Sequence, residues 1–341
     1  MKKFTHIGQF YQVRKYVDMV NADPECPEKY KIRKPITYQG TVKLHGTNSG
    51  VRVDKETITC QSRNRIIDPT NDNLQFAAWM GNSERQSVVR TIVASLREEW
   101  GIRDEDPVTL FGEWCGPGIQ KGVAINQLPE RQWVLFSACV GMKEDRDYIG
   151  IEAAVSTAYK KVGICSIFHG PVQYITVDWT DKNSLLQATM ELDFKVKEVE
   201  SECPWAAKFG VSGLGEGLVW VPTGEYRNRT ELWFKTKGEK HKITKSKNKG
   251  IQLDPEVIAS IDAFVEFAVT DVRLNQGVEY LNEQHLQVGM QNTSTFLRWI
   301  AKDIERECKQ DLIASGLSWE RVSKSVNTKA LSFFKAKVEE L

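Results

Sequence analysis

The segment Lys43-Leu44-His45-Gly46-Thr47-Asn48 concentrates reactive residue types. A lysine with a glycine three residues on suits an amine that attacks the α-phosphorus of a nucleotide: the amine is the nucleophile, and the glycine lets backbone come close. By itself the pattern discriminates poorly. It occurs four times, at Lys43, Lys160, Lys235 and Lys247, so order and neighbours must select among them. Downstream of Lys43 come, in turn, Ser62-Arg63, Phe111-Gly112-Glu113, Trp133-Val134-Leu135-Phe136, Glu216-Gly217-Leu218-Val219 and Lys235-Thr236-Lys237. Only Lys43 is followed by a glutamate strand, a Glu-Gly strand and a Lys-x-Lys strand. In the last of these the lysines alternate, so both amines share one strand face, consistent with a shared phosphate target.

These residues need a scaffold of strands. Residues 49–53 and 57–62 alternate apolar or small with polar positions on either side of Asp54-Lys55-Glu56, the pattern of a hairpin. Residues 83–100 carry Val88, Ile92, Leu96 and Trp100 at helical spacing. Further strands are predicted over 108–113, 132–137, 217–221 and 231–235. Strands in short succession with few helices between them predict an α+β domain on antiparallel sheet. Beyond residue 250 the character changes. Asp254 and Pro255 start a predicted helix with Ile258, Ile261, Val265 and Ala268 on one face. Thr293 or Ser294 is expected to cap a second, with Leu297, Ile300, Ile304 and Cys308, closed by Gly316. A third carries Leu331, Phe334 and Val338. The expected domains are 1–247, strand-rich, and 253–341, a small all-helical C-terminal domain.

Composition fits this picture. A chain of 341 residues predicts about two domains at roughly 100 to 200 residues each, and 41% hydrophobic with 27% charged residues excludes a wholly disordered or fibrous chain. The formal charge is only +1, but residues 235–250 hold seven lysines against one acid, a net +6, which leaves −5 for the rest. Near-neutrality therefore does not argue against a polyanionic substrate. Seven scattered cysteines without a C-x-x-C pair predict neither a disulfide framework nor a structural zinc site. No stretch approaches the roughly 18 apolar residues of a membrane span, and a reducing cytoplasm is the expected setting.

With the motifs in this order, the sequence resembles the ATP-dependent RNA ligases of the second RNA ligase family, the group of bacteriophage RNA ligases and trypanosome RNA-editing ligases. His45 within the first motif and the stretch from Phe111 through Cys115-Gly116-Pro117-Gly118-Ile119-Gln120-Lys121-Gly122 to Val123 carry the resemblance furthest. It spans roughly residues 36 to 245, and the helical tail is similar in kind to the phage branch. The resemblance implies an ATP-grasp-like nucleotidyltransferase adenylation domain that seals 5′-phosphate and 3′-hydroxyl RNA ends through lysyl-AMP and RNA-adenylate. Lys43 would be the nucleophile, with His45, Lys235 and Lys237 assisting catalysis. Val42 through its backbone, Asn48, Arg63, Glu113, Phe136 and Val219 would hold the nucleotide with those lysines. Glu113 is matched to the ribose hydroxyls, Phe136 to stacking on adenine and Val219 to the opposite face of the base. Glu216 and Glu113 would serve Mg2+ or Mn2+, a hard cation that prefers oxygen. An ordinary lysine amine is protonated, so Lys43 needs neighbouring cations or desolvation to drive it neutral. Nicked duplex RNA or RNA ends are the implied partner, and the chain is expected to act as a monomer away from membranes.

Two departures stand out. Ser137 follows the stacking aromatic where the phage enzymes tend to carry Asp, and Val221 precedes Pro222 where a lysine is expected; Arg227 or Arg229 is a candidate substitute. Taken alone, each site residue also has an ordinary alternative: a solvated lysine, a surface glutamate, a core phenylalanine, and for Lys240 through Lys249 a solvated basic linker. The remaining functional alternatives are a DNA ligase or other nucleotidyltransferase, or a non-catalytic RNA-binding or repair protein of the same fold.

Overall fold

A computed structural model describes residues 1–55, 57–72, 74–120, 122–141, 147–238, 261–314 and 316–340. The chain divides into two compact units, Met1–Gly238 and Glu239–Leu341.

The first unit is built on two sheets, with strands numbered along the chain. In spatial order, the five-stranded sheet holds β1 (Gly8–Gln9), β12 (Phe234–Lys237), β11 (Gly217–Pro222), β2 (Ile36–Lys43) and β10 (Val172–Val177). The seven-stranded sheet runs β5 (Ile66–Ile67), β4 (Ile58–Ser62), β3 (Thr47–Val53), β6 (Val108–Cys115), β7 (Gln132–Val140) and β8 (Asp147–Ile149), with β9 (Ile164–Ser166) paired to β7. Pairing among the described residues is antiparallel except for β1 with β12 and β9 with β7.

Strand β2 shows how sequence period becomes two faces. Ile36, Tyr38, Gly40 and Val42 are buried, while Gln39, Thr41 and Lys43 are half-buried on the other side. The buried face packs on aromatics: Tyr38 lies 5.0 Å from Phe234, and Trp179 Nε1 donates to Tyr38 Oη at 3.1 Å. A Cβ at Gly40 would run into the Trp220 ring, so the smallest residue is required there.

Helix α1 (Phe10–Ala22) buries Phe10, Val13, Val17 and Val20. After the short α2 (Phe76–Met80), α3 (Ser83–Trp100) starts where the Asn82 side chain accepts from the amides of Glu84 and Arg85. It ends on Gly101 at φ +63°, and its Val88, Val89, Ile92, Val93 and Leu96 cover the seven-stranded sheet. Helix α4 (Lys182–Ser201), capped by Asp181, lies on β10, β11 and β12 through Leu185, Ala188, Leu192, Val196 and Val199. It is followed by α5 (Pro204–Ala207).

The second unit is helical, with α6 (Ile261–Ala268), α7 (Asp271–Glu283), α8 (Thr293–Glu307), α9 (Lys309–Ala314) and α10 (Trp319–Glu339). Phe264, Leu274, Phe296, Ile300, Ile304, Val326 and Phe334 share one core. The architecture is thus α+β with antiparallel-rich sheets followed by helices. No described helix is long and apolar enough to cross a membrane.

Several details differ from expectation. The strand predicted over 231–235 begins later, at Phe234, because 230–232 form a 3-10 turn. Thr293 is the first helical residue rather than a cap, and its hydroxyl donates to Met290 O. The helix expected to run from there to Gly316 breaks at Cys308 into α8 and α9, and Gly316 ends the second piece at φ +65°. The helix start at Asp254, the lysines from 240 to 249 and the boundary between 247 and 253 lie outside the described residues.

Candidate active site

The chain leaves the five-stranded sheet at Lys43, the last residue of β2, and enters the seven-stranded sheet at Thr47, the first of β3. Leu44-His45-Gly46 is therefore the crossing between sheets. Gly46 is needed for that passage: a Cβ would meet Trp114 O, Cys115 Cβ at 2.8 Å and Glu113 Cγ at 3.0 Å. Its close approach is to β6, and it lets the Gly46 amide donate to Glu113 Oε1 at 2.9 Å.

Register gathers the remaining residues. Across the five-stranded sheet Lys43, Gly217 and Lys237 form one row, and Thr41, Val219 and Lys235 form the next. Directly opposed residues share a face, so Lys43, Val219, Lys235 and Lys237 stand on the same side. Glu216, just before β11, closes the group. Its carboxylate is 2% exposed and meets Lys43 Nζ at 2.7 Å, Lys237 Nζ at 2.9 Å and His45 Nδ1 at 3.2 Å. Gly217 at φ +148° makes this possible, since a Cβ there would run into the Thr236 carbonyl.

The two carboxylates are pushed in opposite directions. Burial would raise Glu216, but the charges of Lys237, Lys43 and His45 outweigh it and hold the group well below the usual carboxylate range. Glu113 has weaker compensation, and burial lifts it from the usual 4.5 to about 7 despite Lys43 and the Gly46 amide. A raised acid is protonated in the folded chain where the unfolded chain has already ionised. Between about pH 4.5 and 7 the folded state therefore loses stability as pH rises, up to about 3 kcal/mol at 1.36 kcal/mol per unit. Glu113→Gln is expected to remove this slope and to stabilise the nucleotide-free protein at pH 8. Urea midpoints at pH 5 and pH 8 read it; an unchanged slope contradicts the assignment.

On the seven-stranded sheet Asn48 pairs with Glu113 across β3 and β6. The β6–β7 register shifts between Phe111 and Gly112, so Phe136 has no direct partner between Leu135 and Ser137. This bulge re-aims Phe136, which stays half-buried with Phe4 edge-on at 5.0 Å. Val219 and Phe136 thus come from different sheets. Val42 buries its side chain and pairs with Leu218, while β10 stops opposite Thr41 and leaves that flank of the Val42 backbone uncovered by a strand. Arg63 is exposed in the turn between β4 and β5, just after Ser62, which pairs with Ser49 of β3, and it makes no ion pair among the described residues. Arg227 pairs with Glu152 at 2.9 Å, and Arg229 binds Glu231 and the Tyr16 hydroxyl, so both are engaged elsewhere. Ser137 is buried.

Sequence reasoning missed Phe4, which packs on Phe111, Phe136, Tyr148 and Trp233. A lone aromatic near the start of the chain has no periodic signal to mark it. It also missed β1, whose pairing lengthens the sheet beyond β12.

Lysines converging on a buried carboxylate between two sheets define a site fitted to phosphate chemistry. The chain belongs to the RNA ligase family, whose model it matches over residues 36–237. Among solved structures it is similar to a Naegleria gruberi RNA ligase variant with ATP and Mn, at 16% identity and TM-score 0.41. That match covers 70% of this chain and 56% of the other. The same ligase with PPi matches at 14% identity and TM-score 0.36, over 70% and 56% of the two chains. This chain thus spans little more than half the length of those ligases.

Proposed function

We propose that this chain is an ATP-dependent RNA ligase. The observation that carries the reading is the convergence of Lys43, Lys237 and His45 on Glu216, within the segment that matches the family. Lys43 would leave Glu216, give up its ammonium proton to water and attack the α-phosphorus of ATP with the freed amine, forming an N–P bond as the bond to pyrophosphate breaks. Lys237 and Lys235, on the same sheet face, would offset the charge that builds on the phosphates. AMP would then pass to an RNA 5′-phosphate, and a 3′-hydroxyl would displace it to form the phosphodiester. Phe136 and Val219, from opposite sheets, are suited to clasp adenine, with the Val42 backbone, beyond the end of the β10 pairing, at the base edge and Glu113 with Asn48 at the ribose. Arg63, at the end of β4 that pairs with the start of β3, would meet the sugar and phosphates.

A divalent cation fits this donor set in a limited way. Among the described residues no group of three or more His, Cys, Asp or Glu could hold a metal alone. Glu216 and Glu113 would supply one or two oxygens, with phosphates and water completing the shell, as Mg2+ usually accepts. Such an ion would neutralise phosphate charge and orient the leaving group. The residues 1–247 would form the adenylyltransferase domain and 253–341 a helical domain that engages RNA.

Incubation with α-labelled ATP and Mg2+ is expected to leave an acid-labile label on the denatured protein and pyrophosphate in solution. Unlabelled 5′-phosphate RNA should then discharge the label, and a nicked duplex compared with single strands reports the preferred ends. Absence of any covalent label sinks the proposal.

A further inference from the structure

The outward face of α4 carries three long apolar side chains that its own fold does not need. Leu186, Met190 and Phe194 are 61%, 66% and 62% exposed. The helix already buries Leu185, Ala188, Leu192, Val196 and Val199 on its inner side. Scattered surface apolars are ordinary, but these recur every four residues and form one continuous ridge.

The same four-residue ridge extends to Lys182 at the start of α4 and to Glu198 near its end. Both are exposed and make no ion pair among the described residues. They also stand against the helix's own field, which favours acids in the first turn and bases in the last. The ridge thus reads cation, three apolar residues, anion. That order is self-complementary when it lies antiparallel on a copy of itself: Leu186 falls beside Phe194 of the second copy, Met190 beside Met190, and Lys182 beside Glu198, twice by symmetry. Each Lys182 then also faces the C-terminal end of the opposite helix, which reverses its unfavourable placement.

We propose that the ridge Lys182–Leu186–Met190–Phe194–Glu198 is a two-fold interface between copies of this chain. Three apolar side chains per copy fall short of the roughly 1,000 Å² that a stable interface buries, so the association is weak and concentration-dependent. The sequence resemblance implies a monomer instead, so the two readings differ in the mass they expect.

Sedimentation equilibrium over a concentration series tests the proposal on the full chain. The mass is expected to rise from 38.8 kDa toward twice that value as concentration increases. Met190→Glu should hold it at the monomer throughout, with unchanged far-UV circular dichroism, since the position is exposed. Lys182→Glu should weaken association about tenfold by replacing two attractions with two repulsions, and adding Glu198→Lys should restore it. A monomer at every concentration overturns the proposal and leaves the ridge to a different protein or to another part of this chain. A dimer that survives Met190→Glu, or a double charge exchange that fails to restore association, also overturns it.

Discussion

Lys43→Ala is expected to abolish covalent labelling by α-labelled ATP while leaving the protein folded. The fold survives because Glu216 keeps Lys237 at 2.9 Å and His45 at 3.2 Å, so the buried carboxylate is not stranded. Chemistry is lost because no other amine in the group ends a strand at the crossing between sheets. Lys237 is the nearest rival, yet it is held on the opposite oxygen of Glu216, two strands away from Lys43. Lys43→Arg should be equally silent, since a guanidinium is always protonated and cannot attack phosphorus. A third measurement separates loss of the nucleophile from damage to the site. In the proposed sequence Lys43 carries AMP only until it reaches the RNA 5′-phosphate, so strands supplied already 5′-adenylylated bypass the missing amine. The alanine variant should seal these in the presence of Mg2+ and without ATP. A label that persists in Lys43→Ala would move the nucleophile elsewhere. Failure on both substrates, with the fold intact, would mean that Lys43 is needed for more than forming the adenylate.

The residues of the proposed site could be chosen from their order along the chain, and the reason is geometric. Covalent chemistry on a nucleotide needs particular side chains at strand ends, and strands bring i and i+2 to one face; Lys235 and Lys237 could be paired from spacing alone. What spacing does not encode is which strands become neighbours. That β11 lies between β2 and β12, and so places Glu216 between Lys43 and Lys237, depends on pairing across more than 170 residues of chain. The tie between Gly46 and Glu113 was hidden for the same reason. Phe136 was chosen as a candidate by order, but its reorientation by a bulge follows from a register shift that no residue type announces.

The helices show the complementary limit. Helix α3 was legible because its apolar residues recur at helical spacing. Helix α7 was not: Gly277 interrupts its pattern, yet there the glycine serves packing, since a Cβ would meet Phe296 at 2.7 Å and Ile300 at 2.9 Å. Arg273, equally unexpected in a core, is fully buried in the first turn of α7. Sequence rules place arginine outside, and only its partners explain the exception.

Those partners tie Arg273 into the core of the second unit. Its Nε donates to Asp303 Oδ2 at 2.9 Å, its Nη1 to the Ala268 carbonyl, and Cys308 Sγ lies 3.7 Å from the same nitrogen. Burial works against the charge, but Cys308, Asp303 and Glu307 more than compensate and raise the guanidinium above its ordinary value. The network spans the end of α6, the start of α7 and the end of α8. Arg273→Met keeps most of the volume but leaves Asp303 with only the half-exposed Arg306 and Glu307 buried beside it. The expected cost is about 3–5 kcal/mol, the usual result of removing one partner from a buried pair. Amide hydrogen exchange should show it as loss of protection across 261–308, with 36–237 unaffected, because the core of the second unit is its own. Acidification separates charge from packing. If the stranded carboxylates are the cause, lowering the pH toward 4 should recover much of the loss in Arg273→Met by protonating them, whereas a packing defect would be indifferent to pH. Arg273→Met combined with Asp303→Leu should likewise recover most of it, since an apolar pair of similar volume replaces the ionic one without an uncompensated charge. If the single variant costs under about 1 kcal/mol, the network is an ornament of the fold rather than its clasp.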